Sequence, residues 1–316
     1  MRVRVSVALA TGLLLASTSG CKGSSPAPET AEPEPLGTIP SALELDDEPA
    51  RDPRQALTLV PASATVLTLT DHAAIRAGGG ESVLLADGLL PADDPAFLLD
   101  HGFDQEDVNW EAQFSGPEGE GYALSFRPDL DMRLVRAALK AKVLRGATVL
   151  RDEHLLVKNT AQEGDPVWAM DEGLRKLTEV GAESTYLRRG CVAVRDALGA
   201  HATYADQAEL VAQADPTYLR PLEAFSVSFG DQVATARLGL DRTDLHERAH
   251  LFGLWPKTKG IGVQDGFEGP AVADTSTGRI GLRVVDAVAA ARLTLTERLP
   301  FAVCNEVVPF EEPTGP

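Results

Sequence analysis

The sequence predicts an α+β body of two similar halves, each built from mainly antiparallel sheet with packed helices, behind a disordered N-terminal tether. Three observations lead there. Alternating apolar and polar runs come in pairs across turns, as hairpins do. Helix-like runs between them open on aspartates, which favour the first position of a helix. One strand-to-helix corner is also written twice: residues 127–133 (RPDLDMR) and 242–248 (RTDLHER) share Arg, Asp, Leu and Arg at the same places. Hairpins mixed with helices imply α+β, and a repeated corner implies an internal duplication.

The chain opens on an export signal over residues 1–20. Arg2 and Arg4 supply its positive end, and the apolar run of residues 5–16 is too short to span a bilayer. Small residues then lead to Cys21. This resembles a bacterial lipoprotein signal, cleaved before Cys21 and lipidated on its thiol, although Thr18 stands where such signals usually carry Leu. An ordinary secretory signal with a bystander cysteine is the alternative. Residues 21–54 are rich in Pro, Glu, Ser and Ala and poor in large apolar side chains. Such a stretch buries too little surface to offset its chain entropy. It predicts a tether about 30 Å long or more.

The body divides at residues 55–182 and 183–316. In the first half, residues 65–70 read as a strand and Asp71 starts a short helix ending at Gly78. The glycine run there lacks the Lys and Ser/Thr of a phosphate loop. Residues 95–101 read as helix, and 108–114 with 121–126 as a hairpin across a Gly-rich turn. Asp129 is expected to cap the corner helix, which turns Leu130, Leu134, Val135 and Ala138 to one face. Residues 148–151 and 154–158 form a second hairpin, and 166–180 a helix joining the halves.

The second half repeats the plan. Residues 191–195 (CVAVR) read as a strand, Asp196 as the start of a helix, and 204–212 as a longer one. Residues 225–229 and 233–240 pair as a hairpin. Asp244 caps the second corner helix, with Leu245, Ala249 and Phe252 inward. A turn at 275–278 joins strands 271–273 and 279–284. Asp286 caps a helix running to about residue 296, and residues 301–304 are the last strand.

The sharpest chemical motif is His246-Glu247-Arg248-Ala249-His250, which fits HExxH. On a helix the two histidines stand one turn apart and can hold zinc, with Glu247 as general base. Arg248 places a positive charge beside any such cation, Pro256 occupies the metzincin third-ligand position, and no Met follows to form a Met-turn. The corresponding residues of the first corner, Asp131, Met132 and Val135, form no such site. Glu247 also stands three residues after Asp244, at capping-box spacing. The motif therefore reads as a capped amphipathic helix with no metal and no catalytic residue; the alternative is a zinc-dependent hydrolase using His246, Glu247 and His250.

Of the three cysteines, lipid takes Cys21, and the remaining Cys191 and Cys304 are expected to form a disulfide. Net charge is −18, and loss of Arg2 and Arg4 makes the mature chain more acidic still. That argues against nucleic acid or anionic headgroups as partners of the body. The acidic loop of Asp104, Glu106, Asp107 and Glu111 lacks EF-hand spacing and reads as a solvated loop rather than a calcium site. No GxSxG is present, and Gly260-x-Gly262 lacks the third glycine of a dinucleotide fingerprint.

Three stretches, residues 56–79, 102–114 and 299–304, resemble a group of uncharacterised lipoproteins of high-GC Gram-positive (actinobacterial) bacteria. The resemblance implies a lipid anchor on the outer face of the cytoplasmic membrane and carries no activity, cofactor or binding residues with it. The expectation is a non-enzymatic binding or interaction module of the cell envelope. Its expected partner is an unknown protein or an apolar ligand, the latter carried between the halves.

Overall fold

Alternation in this chain is resolved into one continuous sheet, in a computed structural model that describes residues 52–78, 88–90, 95–141, 144–178, 181–257 and 260–310. The predicted signal, Cys21 and the tether lie outside the described residues. In the first half the strands are β1 Val66–Asp71, β2 Val108–Gly116, β3 Gly119–Phe126, β4 Thr148–Leu150 and β5 Leu155–Lys158. In the second they are β6 Ser184–Arg189, β7 Ala224–Gly230, β8 Val233–Arg237, β9 Phe267–Asp274 and β10 Arg279–Val284. The order across the sheet is β4-β5-β3-β2-β1-β6-β7-β8-β10-β9. Every neighbouring pair is antiparallel.

From the centre outward the two halves have the same order, 1-2-3-5-4 matching 6-7-8-10-9. They meet where β1 pairs with β6, with Leu67 opposite Leu187. The two similar halves thus share one sheet.

Helices α1 His72–Ala77, α2 Pro95–His101, α3 Met132–Ala137 and α4 Glu172–Leu177 belong to the first half. Helices α5 Val194–Leu198, α6 Tyr204–Gln213, α7 Leu245–Leu254, α8 Val263–Gly266 and α9 Ala287–Leu295 belong to the second. Asp71 and Asp286 cap α1 and α9 as expected, accepting from the amides of Ala74 and Ala289.

Directly paired residues on antiparallel strands share a face. Leu67, Leu69, Ala112 and Leu187 point to one face, where Trp168, Leu174 and Leu177 cover them. On the opposite face lie two separate cores. Tyr122, Leu124, Phe126 and Leu156 pack with Met132 and Val135 of α3. Tyr186, Phe225, Val227 and Ile280 pack with residues of α5, α6, α7 and α9. Between those cores the sheet is polar at Thr70, Glu111, Gln113 and Ser184.

Five local expectations are corrected. The strand preceding the second set of helices is β6, and residues 191–195 contribute only a single bridge, Val192 to Val303, before α5 begins at Val194. Both stretches alternate, but only β6 has a strand on each side to satisfy its backbone. Ala193, not Asp196, stands at the start of α5. Residues 301–304 are not a strand: Pro300–Ala302 form a 3-10 turn, since Pro300 offers no amide to a ladder. Residues 166–180 hold a 3-10 turn, Trp168–Met170, and then the short α4. The cap of α3 is Asp131, which accepts from Arg133, and not Asp129.

Candidate binding site

On α7 the amphipathic pattern places Leu245, Ala249 and Phe252 inward, as expected. The HExxH letters divide between the two sides of this helix. His246, Glu247 and His250 face solvent, whereas Arg248 is fully buried. Its Nε donates to Asp244 Oδ2 at 2.8 Å. Its two terminal nitrogens donate to the carbonyls of Phe301 at 2.8 Å, Val303 at 2.9 Å and Arg220 at 2.7 Å. Among the described residues no group of three His, Cys, Asp or Glu is placed to hold a metal.

Asp244 stands at the first position of α7 but makes no cap bond there, so the capping box with Glu247 does not form. Its carboxylate turns under the helix to two guanidinium groups, Arg242 and Arg248, and to the amide of Arg220. Charge-assisted bonds of this kind are about twice as strong as neutral ones, which decides the side chain's direction. Burial alone would raise the Asp244 pKa; the arginine bonds overcome it and bring it down to about 2. The matching corner differs. Asp129 has a side chain 75% exposed, against 5% for Asp244. Arg127 reaches Asp107 at 2.7 Å. Both corners keep the Arg–Asp pair, Arg127–Asp129 at 3.5 Å and Arg242–Asp244 at 2.8 Å, but only the second is buried.

Cys191 and Cys304 are joined, with their Cα atoms 4.9 Å apart. The bridge fixes the chain beyond β6 to the segment that follows the 3-10 turn. Val192 and Cys304 reinforce it through backbone bonds. From Cys304 the chain runs along α6, where Gln207 donates to the Val308 carbonyl at 3.0 Å and accepts from the Phe310 amide at 2.8 Å. This brings the Phe310 ring under Arg195, 4.7 Å from the guanidinium.

That contact is one wall of a cavity of ≈ 920 Å³. Arg195 and Asp196 of α5, His201, Arg292 of α9, Arg298 and Phe310 line it, with Gly199 and Ile261 beside them. Gly199 has φ +89°, and a Cβ there would lie 2.7 Å from Arg298 Nε. Only glycine tolerates that backbone and leaves the guanidinium its place. Burial holds the Arg298 pKa below its ordinary value, the charge of Arg292 lowers it further, and Asp265 opposes both.

The acidic loop does not converge. Asp104 accepts from Glu106 and Asp107 pairs with Arg127, while Glu111 is buried. Glu111 accepts the Leu89 amide at 3.0 Å on each oxygen and a bond from Gln113, and it lies 3.7 Å from His72 Nε2. Its bonds serve the fold.

The cavity arginines were not singled out in the sequence. They come from two distant stretches of the chain, Arg195 on α5 and Arg292 with Arg298 on and just after α9. No protein-family model, curated protein or solved structure matches this chain.

Proposed function

We propose that the chain is a lipid-anchored extracytoplasmic binding protein, held at the membrane through Cys21. On this reading it takes up a ligand or partner on its body and does not transform it. The observation that carries the binding part is the ≈ 920 Å³ cavity, whose size falls in the usual range for small-ligand sites. Its wall mixes guanidinium groups with the apolar Ile261, Leu293 and Phe310. Two further observations support export and a non-enzymatic body. The joined Cys191 and Cys304 suit an oxidising compartment. The outward histidines of α7 lie across the helix from a buried arginine that serves packing.

The anchor is tested by labelling cells with a palmitate analogue and partitioning the chain between detergent and water. The wild type is expected in the detergent phase with label, and Cys21→Ala in neither. A labelled Cys21→Ala chain would refute the anchor. The hydrolase alternative is tested by Glu247→Gln: an activity lost in that variant and restored by zinc in the wild type would replace the binding reading.

A further inference from the structure

We propose that the cavity formed by α5, α9 and the disulfide-fixed C-terminal segment binds a small organic oxyanion carrying at least two negative charges. This rests on reading the body as a binding protein. The chain carries a net charge of −18, yet this cavity is lined by three arginines against one aspartate. Arg195 comes from α5, and Arg292 and Arg298 from α9 and the turn that follows it, so the three meet only through the packing of these elements. Neither Arg195 nor Arg292 makes an ion pair among the described residues.

Like charges gathered in a half-buried place repel one another, and Arg298 registers this through Arg292. A bound anion relieves that repulsion. A guanidinium fork matches the paired oxygens of phosphate and carboxylate. Phosphate monoesters and dicarboxylates share this chemistry. The aromatic ring of Phe310 and the side chains of Ile261 and Leu293 give the rest of the ligand an apolar wall, which inorganic phosphate does not use. Gln207 and the chain leading from Cys304 hold the backbone at Phe310, and the ring packs against the Arg195 guanidinium.

The test is titration calorimetry on the mature lipidated chain in neutral detergent, with phenyl phosphate as probe and phenol as its uncharged counterpart. One phenyl phosphate is expected per chain, with phenol and inorganic phosphate each weaker. Arg292→Gln and Arg195→Gln are each expected to lower affinity by about tenfold or more, the loss typical of a bond to a charged group. Arg292 is exposed, so its replacement leaves the fold intact, as circular dichroism will verify. Absence of phenyl phosphate binding, or equal binding in both variants, overturns the oxyanion inference. Phenol bound as tightly as phenyl phosphate also overturns it, while leaving a binding protein of other specificity. Failure of the broader reading registers separately, in the Cys21 and Glu247 experiments.

Discussion

Arg248 and Asp244 lie one helical turn apart on α7, with Nε 2.8 Å from Oδ2, and the guanidinium has no exposure to solvent. The pair ties α7 to the 301–303 segment and to Arg220 at once. Removing one partner of a buried pair leaves an uncompensated charge, at about 3–5 kcal/mol. Arg248→Met is therefore expected to lower unfolding free energy by about 3 kcal/mol or more in urea titrations, softened where Arg242 still faces Asp244. His246→Ala and His250→Ala are expected to stay within about 0.5 kcal/mol of wild type, as surface changes do. Equal losses at all three positions would count against this division of the helix.

The same carboxylate makes a pH prediction. Asp244 titrates at about 2 in the folded protein, below its ordinary 3.8. The unfolded chain therefore binds more protons between those values, and the stability from Asp244 is present above about pH 4 and lost as pH falls toward 2. The shift corresponds to about 2 kcal/mol. Urea midpoints measured from pH 5 to pH 2 are expected to fall more steeply for wild type than for Asp244→Asn.

The Cys191–Cys304 bond spans a sequence separation of 113. Loop-closure entropy gives it about 5 kcal/mol of stabilisation. Reductant, or the double change Cys191→Ala and Cys304→Ala, is expected to lower the unfolding free energy read from guanidinium titrations by an amount of that order. Intact mass spectrometry of the oxidised chain is expected to read two hydrogens below the reduced one.

Gly266 ends α8 against α9, where a Cβ would lie 2.7 Å from the Ala290 amide nitrogen and 2.8 Å from its Cα. These are backbone atoms, which cannot swing aside. Gly266→Ala is expected to cost about 1–3 kcal/mol by overpacking. A Tm equal to wild type in calorimetry would show that the two helices separate freely.

Glu111 binds the Leu89 amide with both oxygens, inside the protein. Glu111→Ala strands that amide, at about 1–3 kcal/mol. Hydrogen exchange at Leu89 is expected to accelerate in the variant, and unchanged protection would remove this role.

What could be read in the sequence was local. The β2–β3 and β7–β8 hairpins, α6 and α9 announce themselves through alternation, turns and caps within a dozen residues. Strand β6 did not, because alternation alone cannot separate it from residues 191–195; the presence of neighbouring strands does, and that is a tertiary fact. At the first corner Asp129 and Asp131 are two residues apart, and capping propensity does not choose between them. At the second, the spacing of Asp244 and Arg248 was readable as an i, i+4 ion pair, but the HExxH letters drew attention to the histidines. The arginine cavity had no such signal, since Arg195, Arg292 and Arg298 meet only when α5 and α9 pack.

The outer strands of the sheet give it defined ends. Strand β4 is three residues long, too short to template a partner. Strand β9 carries Pro270, which has no amide hydrogen to donate, beside Gly269 at φ +78° and an irregular register with β10. An outer strand broken in this way is a poor nucleus for joining a second molecule. The two halves already use each other's open side at the β1–β6 joint, and among the described residues neither outer strand repeats that offer. Broken outer strands of this kind disfavour growth of the sheet from one molecule into the next.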